Sequence, residues 1–251
     1  MTKIIIVGAN GRMGIKVREV CSSLNEAQAV CGIDLVENLE DANFPIYSSF
    51  DCIKEKADVI IDFSSPKSLD SVLNYALKTK TPVVLCPTGY TPEQIEKINN
   101  ASKEIGVFRS ANMSLGVNVL LEIVAEVAKK LHGFDVEIIE KHHNNKVDAP
   151  SGTALMFADE IKKAMPEKFY TYGREGIVGK RDKNEIGVHA IRGGTIVGEH
   201  DVIFAGNNEM VTLSHSATDR TVFAVGAVRA SLFMADKTCG LFNMSDVLKN
   251  A

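Results

Sequence analysis

Paired cysteines are missing from this chain. Five cysteines occur, Cys21, Cys31, Cys52, Cys86 and Cys239, at no short paired spacing and with one left over however they are matched. That excludes a disulfide framework or a cysteine zinc site and fits reduced thiols in a cytoplasmic protein. No cluster of His, Cys and carboxylates has metal-ligand spacing, so no metal is expected. No apolar run approaches the ~18 uninterrupted residues of a membrane span, and Met1 leads into a strand without the regions of a signal peptide. Positive charge is not in excess either. A net charge of -4 and a pI near 5.9 argue against nucleic acid or an anionic membrane as partner, so any anion site must be local. Repeats and low-complexity linkers are absent. What is present is 251 residues, 45% of them hydrophobic, enough to bury a sizeable core in one large domain or two.

The chain opens with KIIIV, residues 3–7, a β-branched run typical of a strand buried on both faces. Gly8-Ala9-Asn10-Gly11-Arg12-Met13-Gly14 follows at once, and Ile15, Val17 and Val20 continue at loose helical spacing. Strand, glycine turn and helix form the setting of a dinucleotide fingerprint, here spaced G-x-x-G-x-x-G. Gly8 permits the tight turn, Gly11 lets the main chain approach a pyrophosphate, and Gly14 lets helix and strand pack closely. Asp34 ends a second apolar run, 27–33, where an acid bonds the ribose hydroxyls of an adenine nucleotide. Glycine spacing recurs by chance in α/β turns, and an aspartate often closes a strand. The four features together favour a cofactor.

Strands and helices then alternate. Residues 59–63 are an apolar strand holding Asp62, after which Ser65 reads as a cap and Pro66 as a first helical residue, with the helix running to about 78. Residues 83–86 form the next strand, ending in Cys86-Pro87-Thr88-Gly89. Thr91-Pro92-Glu93-Gln94 has capping-box spacing ahead of a helix to about 104, and 106–109 give a further strand. This alternation implies a Rossmann-like, doubly wound parallel sheet of the α/β class with right-handed crossovers. Ligands on such sheets lie beyond the carboxyl ends of the strands, so Gly8 to Gly14, Asp34, Cys86 to Gly89 and Ser110 to Met113 should line one cleft.

After Arg109 the pattern changes. A long helix is expected over 117–131 and a strand over 135–141, which delivers the segment EKHHNNKVDAPSGT, residues 140–153. His142, His143 and Lys146 stand beside Ser151-Gly152-Thr153, which precedes a helix-forming run. The N–H groups of Gly152 and Thr153 should be unpaired at that helix start, an anion seat next to proton-carrying side chains. The plainer reading is a basic surface loop capped by Ser151. Residues 172–185 are polar and glycine-rich and suggest a mobile loop or lid. Residues 186–192 and 195–205 flank Gly193-Gly194 as a hairpin would, 210–216 add a strand, and a largely antiparallel sheet with helices on one face is expected. His200 and His215, in these strands, read as structural side chains, and His132 as a cation at a helix end. Arg192 and Arg220 suit substrate support or an interface. Helical spacing returns at 221–233. The expected division is a dinucleotide-binding domain over 1–113, an inserted α+β substrate and oligomerisation domain over 114–220, and a return to the first domain over 221–251.

The motifs GANGRMG, IDFSSP, SANMSLGVN, EKHHNNKVDAPSGTA and RGGTIVGEH, in this order, resemble those of the 4-hydroxy-tetrahydrodipicolinate reductase (dihydrodipicolinate reductase) family of bacterial lysine biosynthesis. The resemblance spans nearly the whole chain. It implies a homotetrameric oxidoreductase, contacting through the sheets of its central domains, that uses NADH or NADPH to reduce a cyclic unsaturated dicarboxylate. On this resemblance Gly8, Ala9, Asn10, Gly11, Arg12 and Met13 match the pyrophosphate loop and Asp34 the ribose acid. Ser110, Ala111, Asn112 and Met113 match a segment at the nicotinamide end. His142 matches a proposed proton donor or acceptor and Lys146 a proposed proton donor, while His143, Gly152 and Thr153, behind the Ser151 cap, match contacts to substrate carboxylates. Where the family commonly has Gly-Thr-Thr-Gly, this chain has Cys86-Pro87-Thr88-Gly89, and Pro87 has no N–H to offer. Asp34 favours free ribose hydroxyls and Leu35 adds no positive charge, though Arg12 could reach a phosphate. NADH preferred with NADPH tolerated is the expectation. Alternatives are another amino-acid-linked dehydrogenase, such as one acting on aspartate, and a non-catalytic NADH-sensing module.

Overall fold

The structure is a computed structural model that describes residues 1–36 and 42–250. Along the chain lie β1 (Thr2–Val7), α1 (Arg12–Ser23), β2 (Ala27–Ile33), β3 (Ile46–Tyr47), β4 (Val59–Asp62), α2 (Leu69–Thr79), β5 (Val83–Leu85), α3 (Pro92–Ala101) and β6 (Gly106–Arg109). Then come α4 (Leu115–Lys130), β7 (Asp135–His142), α5 (Gly152–Ala164), β8 (Phe169–Tyr172), β9 (Glu185–Arg192), β10 (Gly198–Ala205) and β11 (Met210–Ala217). The chain ends with α6 (Thr221–Met234), β12 (Gly240–Phe242) and α7 (Met244–Leu248). Spatial proximity divides it into two units, Met1–Leu115 with Arg220–Ala251, and Gly116–Asp219.

In the first unit seven parallel strands are ordered β12-β6-β5-β4-β1-β2-β3. The run KIIIV shows why the sheet is covered on both faces. Ile4 and Ile6 enter one core with Val17 and Val20 of α1 and Ala227 of α6, whereas Ile5 and Val7 enter a second core with Val72 of α2 and Ile98 of α3. Successive side chains of a strand point to opposite faces, so a run without polar residues needs a helical layer on each side. Gly14 packs α1 onto its own loop: a Cβ there would lie 2.0 Å from the Gly8 carbonyl oxygen. The capping box at Thr91 and Gln94 forms as expected. Ser65 does not cap by its side chain; residues 66–68 form a single 3-10 turn ahead of α2. Strand order reverses between β1 and β4, and there the cleft described below opens.

The second unit holds a mixed five-stranded sheet, ordered β11-β10-β7-β9-β8. Its apolar side packs under α4 and α5 around Val136, Ile138, Phe157, Val202 and Phe204. The expected hairpin across Gly193-Gly194 does not form. β9 and β10 lie on opposite sides of β7, parallel and antiparallel to it. The glycines carry the chain over the end of β7, where Gly193 N–H donates to the His142 carbonyl and Asn144 N–H to the Gly194 carbonyl. With β9 and β10 apart, both edges of β7 are paired, whereas a tight hairpin between them could have covered only one. The sheet is also less antiparallel than expected, because β8 and β9 join β7 in parallel.

The loop between β8 and β9 is tied to the start of β7. Arg174 forks onto Glu137 at 3.0 and 2.9 Å, and Arg181 bonds Glu137 at 2.9 Å and Asp135 at 2.8 Å. Gly187 on β9 makes room for that carboxylate, since a Cβ would lie 1.8 Å from Glu137 Oε2. Burial opposes charge on Glu137, but hydrogen bonds from Arg174, His189 and Arg181 outweigh it and hold its pKa at about 2, below its ordinary 4.5. A depressed folded pKa stabilises the fold above the unfolded value, and that contribution is lost as pH falls through the folded one. Glu137→Gln should therefore melt a few degrees below the parent protein at neutral pH, with the gap closing between about pH 4.5 and 2. Thermal melts across that range check it; a gap that stays constant to pH 2 would show that Glu137 contributes no charge-dependent stability.

Candidate active site

A cleft of about 1360 Å³ opens at the carboxyl edge of the first sheet, lined among others by Gly8, Asn10, Gly11, Asp34 and Ser64. Gly8 sits at φ 78°, a left-handed turn that avoids a β-carbon clash. A Cβ on it would also press within 3.1 Å of the Phe63 and Ser64 backbone, so the glycine brings the ends of β1 and β4 together. Asp34 is fixed by two amides, Asn10 N–H to Oδ2 at 2.8 Å and Leu35 N–H to Oδ1 at 2.7 Å. A carboxylate has about four acceptor positions, so two remain for the hydroxyls of a ribose. The tight turn, the exposed Gly11 and this half-used carboxylate fit the adenosine end of a dinucleotide.

The other residues assigned to the cofactor stand outside this cleft's lining. Arg12 is exposed in the first turn of α1. Ala9, Cys86 and Met113 are buried in the first core, with Met13 packed against it, so what they can offer a ligand is backbone. The Cys86 N–H already donates to the Asp62 carbonyl at 3.0 Å. With no N–H on Pro87, donors near this loop reduce to those of Thr88 and Gly89, both exposed. Ser110 Oγ donates to the Asn112 carbonyl and Asn112 Oδ1 accepts from Ser114 N–H, which fixes the turn after β6. Ala111 is exposed within that turn. Gly226 of α6 lets the Met113 carbonyl approach to 1.7 Å of where a Cβ would be.

In the second unit the alternation of β7 builds a separate cluster of polar groups. The face that buries Val136 and Ile138 continues into Glu140, 0% exposed, and His142, 9% exposed. Glu140 accepts from four donors. His142 Nδ1 lies 2.6 Å from Oε2 and Arg192 Nη1 2.7 Å from it, while Oε1 takes Arg192 Nη2 at 2.8 Å and the Ser151 N–H at 2.9 Å. Register explains the meeting: Arg192 pairs with His142 across β9 and β7, and His200 with Glu140 across β10 and β7. Ser151 caps α5, its Oγ accepting from Ala154 N–H at 3.2 Å and lying 2.9 Å from His200 Nε2. Gly152 and Thr153 begin the helix, and around Gly152 the space is open. Lys146 Nζ bonds Asp148 at 2.8 Å. His143 follows β7, half-buried.

The electrostatics follow from this packing. Burial works against the charge on Glu140, but hydrogen bonds from Arg192, His142 and Ser151 prevail and hold its carboxyl below the usual range. Burial pushes His142 below its ordinary 6.5; Glu140 opposes this, and Lys146 and Arg192 add to it. Burial, then the neighbouring His142, takes His200 down to about 4. The residues that sequence reasoning passed over are Glu140 and Asp148, with Arg192 left unassigned, whereas His200 is the buried structural side chain expected. The i, i+2 spacing of Glu140 and His142 on a strand was the available signal, because it places both on one face.

The family model for the N-terminus of dihydrodipicolinate reductase matches residues 2–113, and that for its C-terminus residues 116–248. A Caldanaerobacter subterraneus subsp. tengcongensis protein named 4-hydroxy-tetrahydrodipicolinate reductase is 52% identical over 99% of both chains. One of the same name from Clostridium tetani is 48% identical over 100% of this chain and 98% of its own. Among solved structures, dipicolinate-bound dihydrodipicolinate reductase from Paenisporosarcina sp. TG-14 superposes with a TM-score of 0.80 at 22% identity, over 97% of each chain. Aspartate dehydrogenase from Thermotoga maritima shares the fold more distantly, with a TM-score of 0.51 at 14% identity over 92% of this chain and 95% of that one. Matched in both halves and half identical to a relative along its length, the chain belongs to the dihydrodipicolinate reductase family.

Proposed function

We propose that the protein reduces 4-hydroxy-tetrahydrodipicolinate to tetrahydrodipicolinate with NAD(P)H, a step of lysine biosynthesis. The observation that carries this is the buried His142 imidazole, bonded at 2.6 Å to Glu140 beside the open, Ser151-capped start of α5. A reduced nicotinamide supplies hydride when bound. The chain's residues do the rest. The Gly152 and Thr153 amides, at the positive end of the helix dipole, hold one substrate carboxylate. His143 and Lys146 hold the other negative charge, with Lys146 released from Asp148. The 4-hydroxyl leaves as water, hydride adds to the conjugated carbon-nitrogen system so formed, and His142 delivers the proton that quenches the resulting negative charge, or Lys146 does so itself. A bound dianion raises the imidazole pKa against the burial that lowers it, so occupancy favours the protonated ring. A sensor that turned nothing over would have no use for such a ring beside an anion seat.

For the cofactor, Asp34 with two acceptor positions left selects free ribose hydroxyls, and NADH is the preferred form. Lys67 and Lys78 line the same cleft, and with Arg12 they supply the positive charge that lets NADPH be tolerated. The enzyme works in the cytoplasm as a homotetramer joined through the second unit's sheet. In support, the sheet face opposite α4 and α5 carries Ile139, Ile191 and Ile203 among its polar residues.

NADH oxidation should require freshly generated substrate. His142→Gln and Lys146→Ala should each lower kcat by roughly 10²- to 10⁴-fold, the range of a lost general acid, with NADH binding nearly unchanged by titration. Full turnover in both variants would strip these residues of their roles. The parent enzyme's kcat/KM should favour NADH, and a tenfold preference for NADPH would overturn the reading of Asp34. Sedimentation should give four times the 27.3 kDa chain mass; a monomer at micromolar concentration would exclude the tetramer.

A further inference from the structure

Glu140 touches neither ligand in the proposed reaction, yet it is the most heavily bonded buried acid in the second unit. Its donors other than His142 are held from elsewhere. Arg192 also donates to the carbonyls of Asp148 and Ile191, at 2.7 and 2.8 Å, and Ser151 is fixed by its place as the cap of α5. A carboxylate that accepts from a forked guanidinium and a backbone amide is ionised and acceptor-only. The hydrogen between it and His142 therefore sits on Nδ1. A neutral imidazole carries one N–H, so the exchangeable position is Nε2. Nε2 makes no hydrogen bond among the described residues, and the neighbouring residue is a glycine: a Cβ on Gly198 would lie 3.1 Å from it.

We propose that Glu140, clamped by Arg192 and the Ser151 amide, is a positioning residue that locks His142 in the Nδ1–H form and makes Nε2 the atom that delivers the proton, with Gly198 leaving it uncovered. The proposal rests on the reading of His142 as proton donor. The charges facing the ring are Glu140 on its own strand, Lys146 on the following loop with Asp148 paired to it, Arg192 on β9 and the neutral His200 on β10. Of these Glu140 alone is anionic and in contact. Removing its charge should lower the imidazole pKa further, so that protonated ring is lost at a lower pH.

Three readouts test this. The ¹⁵N shifts of His142 in the ligand-free parent enzyme, above its titration, should report protonated Nδ1 and bare Nε2. In Glu140→Gln, which keeps the shape and loses the charge, kcat should fall by about tenfold or more while the KM for NADH holds. The alkaline limb of its kcat/KM profile should move to lower pH, and its ring should show mixed tautomers. Arg192→Lys keeps a positive charge without the fork and should lie between the two. A parent enzyme protonated at Nε2 would overturn the proposal even if neither variant folds, as would an unmoved alkaline limb in Glu140→Gln. Full activity in His142→Gln would instead remove the reading of His142 as donor and leave the tautomer result standing.

Discussion

The forked ion pair between Glu140 and Arg192 holds the second unit's chemistry in place. It joins β7 to β9, draws in the backbone of α5 through Ser151, and grips the loop carbonyl of Asp148. Burying the Glu140 charge costs several kcal/mol before the attraction of the partly exposed Arg192 offsets it, so such a pair is weak evidence for net stability. Its value is conditional. Removing Arg192 strands Glu140 in a low-dielectric interior, at a cost of about 3–5 kcal/mol, so the arrangement with all four donors present is strongly preferred over any loosened one. A proton donor next to that carboxylate inherits a fixed ring orientation without needing a rigid loop of its own.

Period-two alternation positions the functional groups in both units, used in opposite ways. In the first sheet the central strands are largely apolar on both faces, with Asp62 at the carboxyl end of β4 as their buried acid. Function moves to the carboxyl ends, where Gly8 and Asp34 sit just beyond β1 and β2. In the second sheet one face of β7 begins apolar at Val136 and Ile138 and ends polar at Glu140 and His142. The core becomes the site along a single strand. Polar groups at the far end of a buried face must be hydrogen-bonded to one another, and the pairing across β9 and β10 brings Arg192 and His200 to do it.

What the sequence disclosed divides along the same line. Local rules were readable. The glycines at 8 and 14, the Thr91 box and the Ser151 cap each depend on neighbours a few residues away, and each stands where expected. The partner of a strand is a non-local fact. Gly193-Gly194 looks like a hairpin turn because turn chemistry is local, whereas the edges of β7, some fifty residues upstream, decide where β9 and β10 go. Neighbouring strands lie about 4.8 Å apart, and residues 193–197 are long enough to step over one of them. The same non-locality hid Glu140. Its spacing to His142 was legible, but its forked partner comes from β9 and its amide donor from the cap of α5.

Charge balance in the second unit ties these features to the proposed reaction. At rest, Glu140 is matched by Arg192 and Asp148 by Lys146, and the imidazole, with its pKa lowered by burial, adds little. Both cations of this cluster are thus paired at rest. A dicarboxylate brings two negative charges and must find two positive ones. Lys146 can supply one by leaving Asp148, which is exposed and rehydrates at small cost. Arg192 cannot supply the other without stranding Glu140. The remaining source is a proton taken up by His142 at Nε2, with the amides at the start of α5 contributing about half a charge more. Substrate binding is thus coupled to charging the group that later donates, and the clamp on Glu140 sends that proton to the open side of the ring.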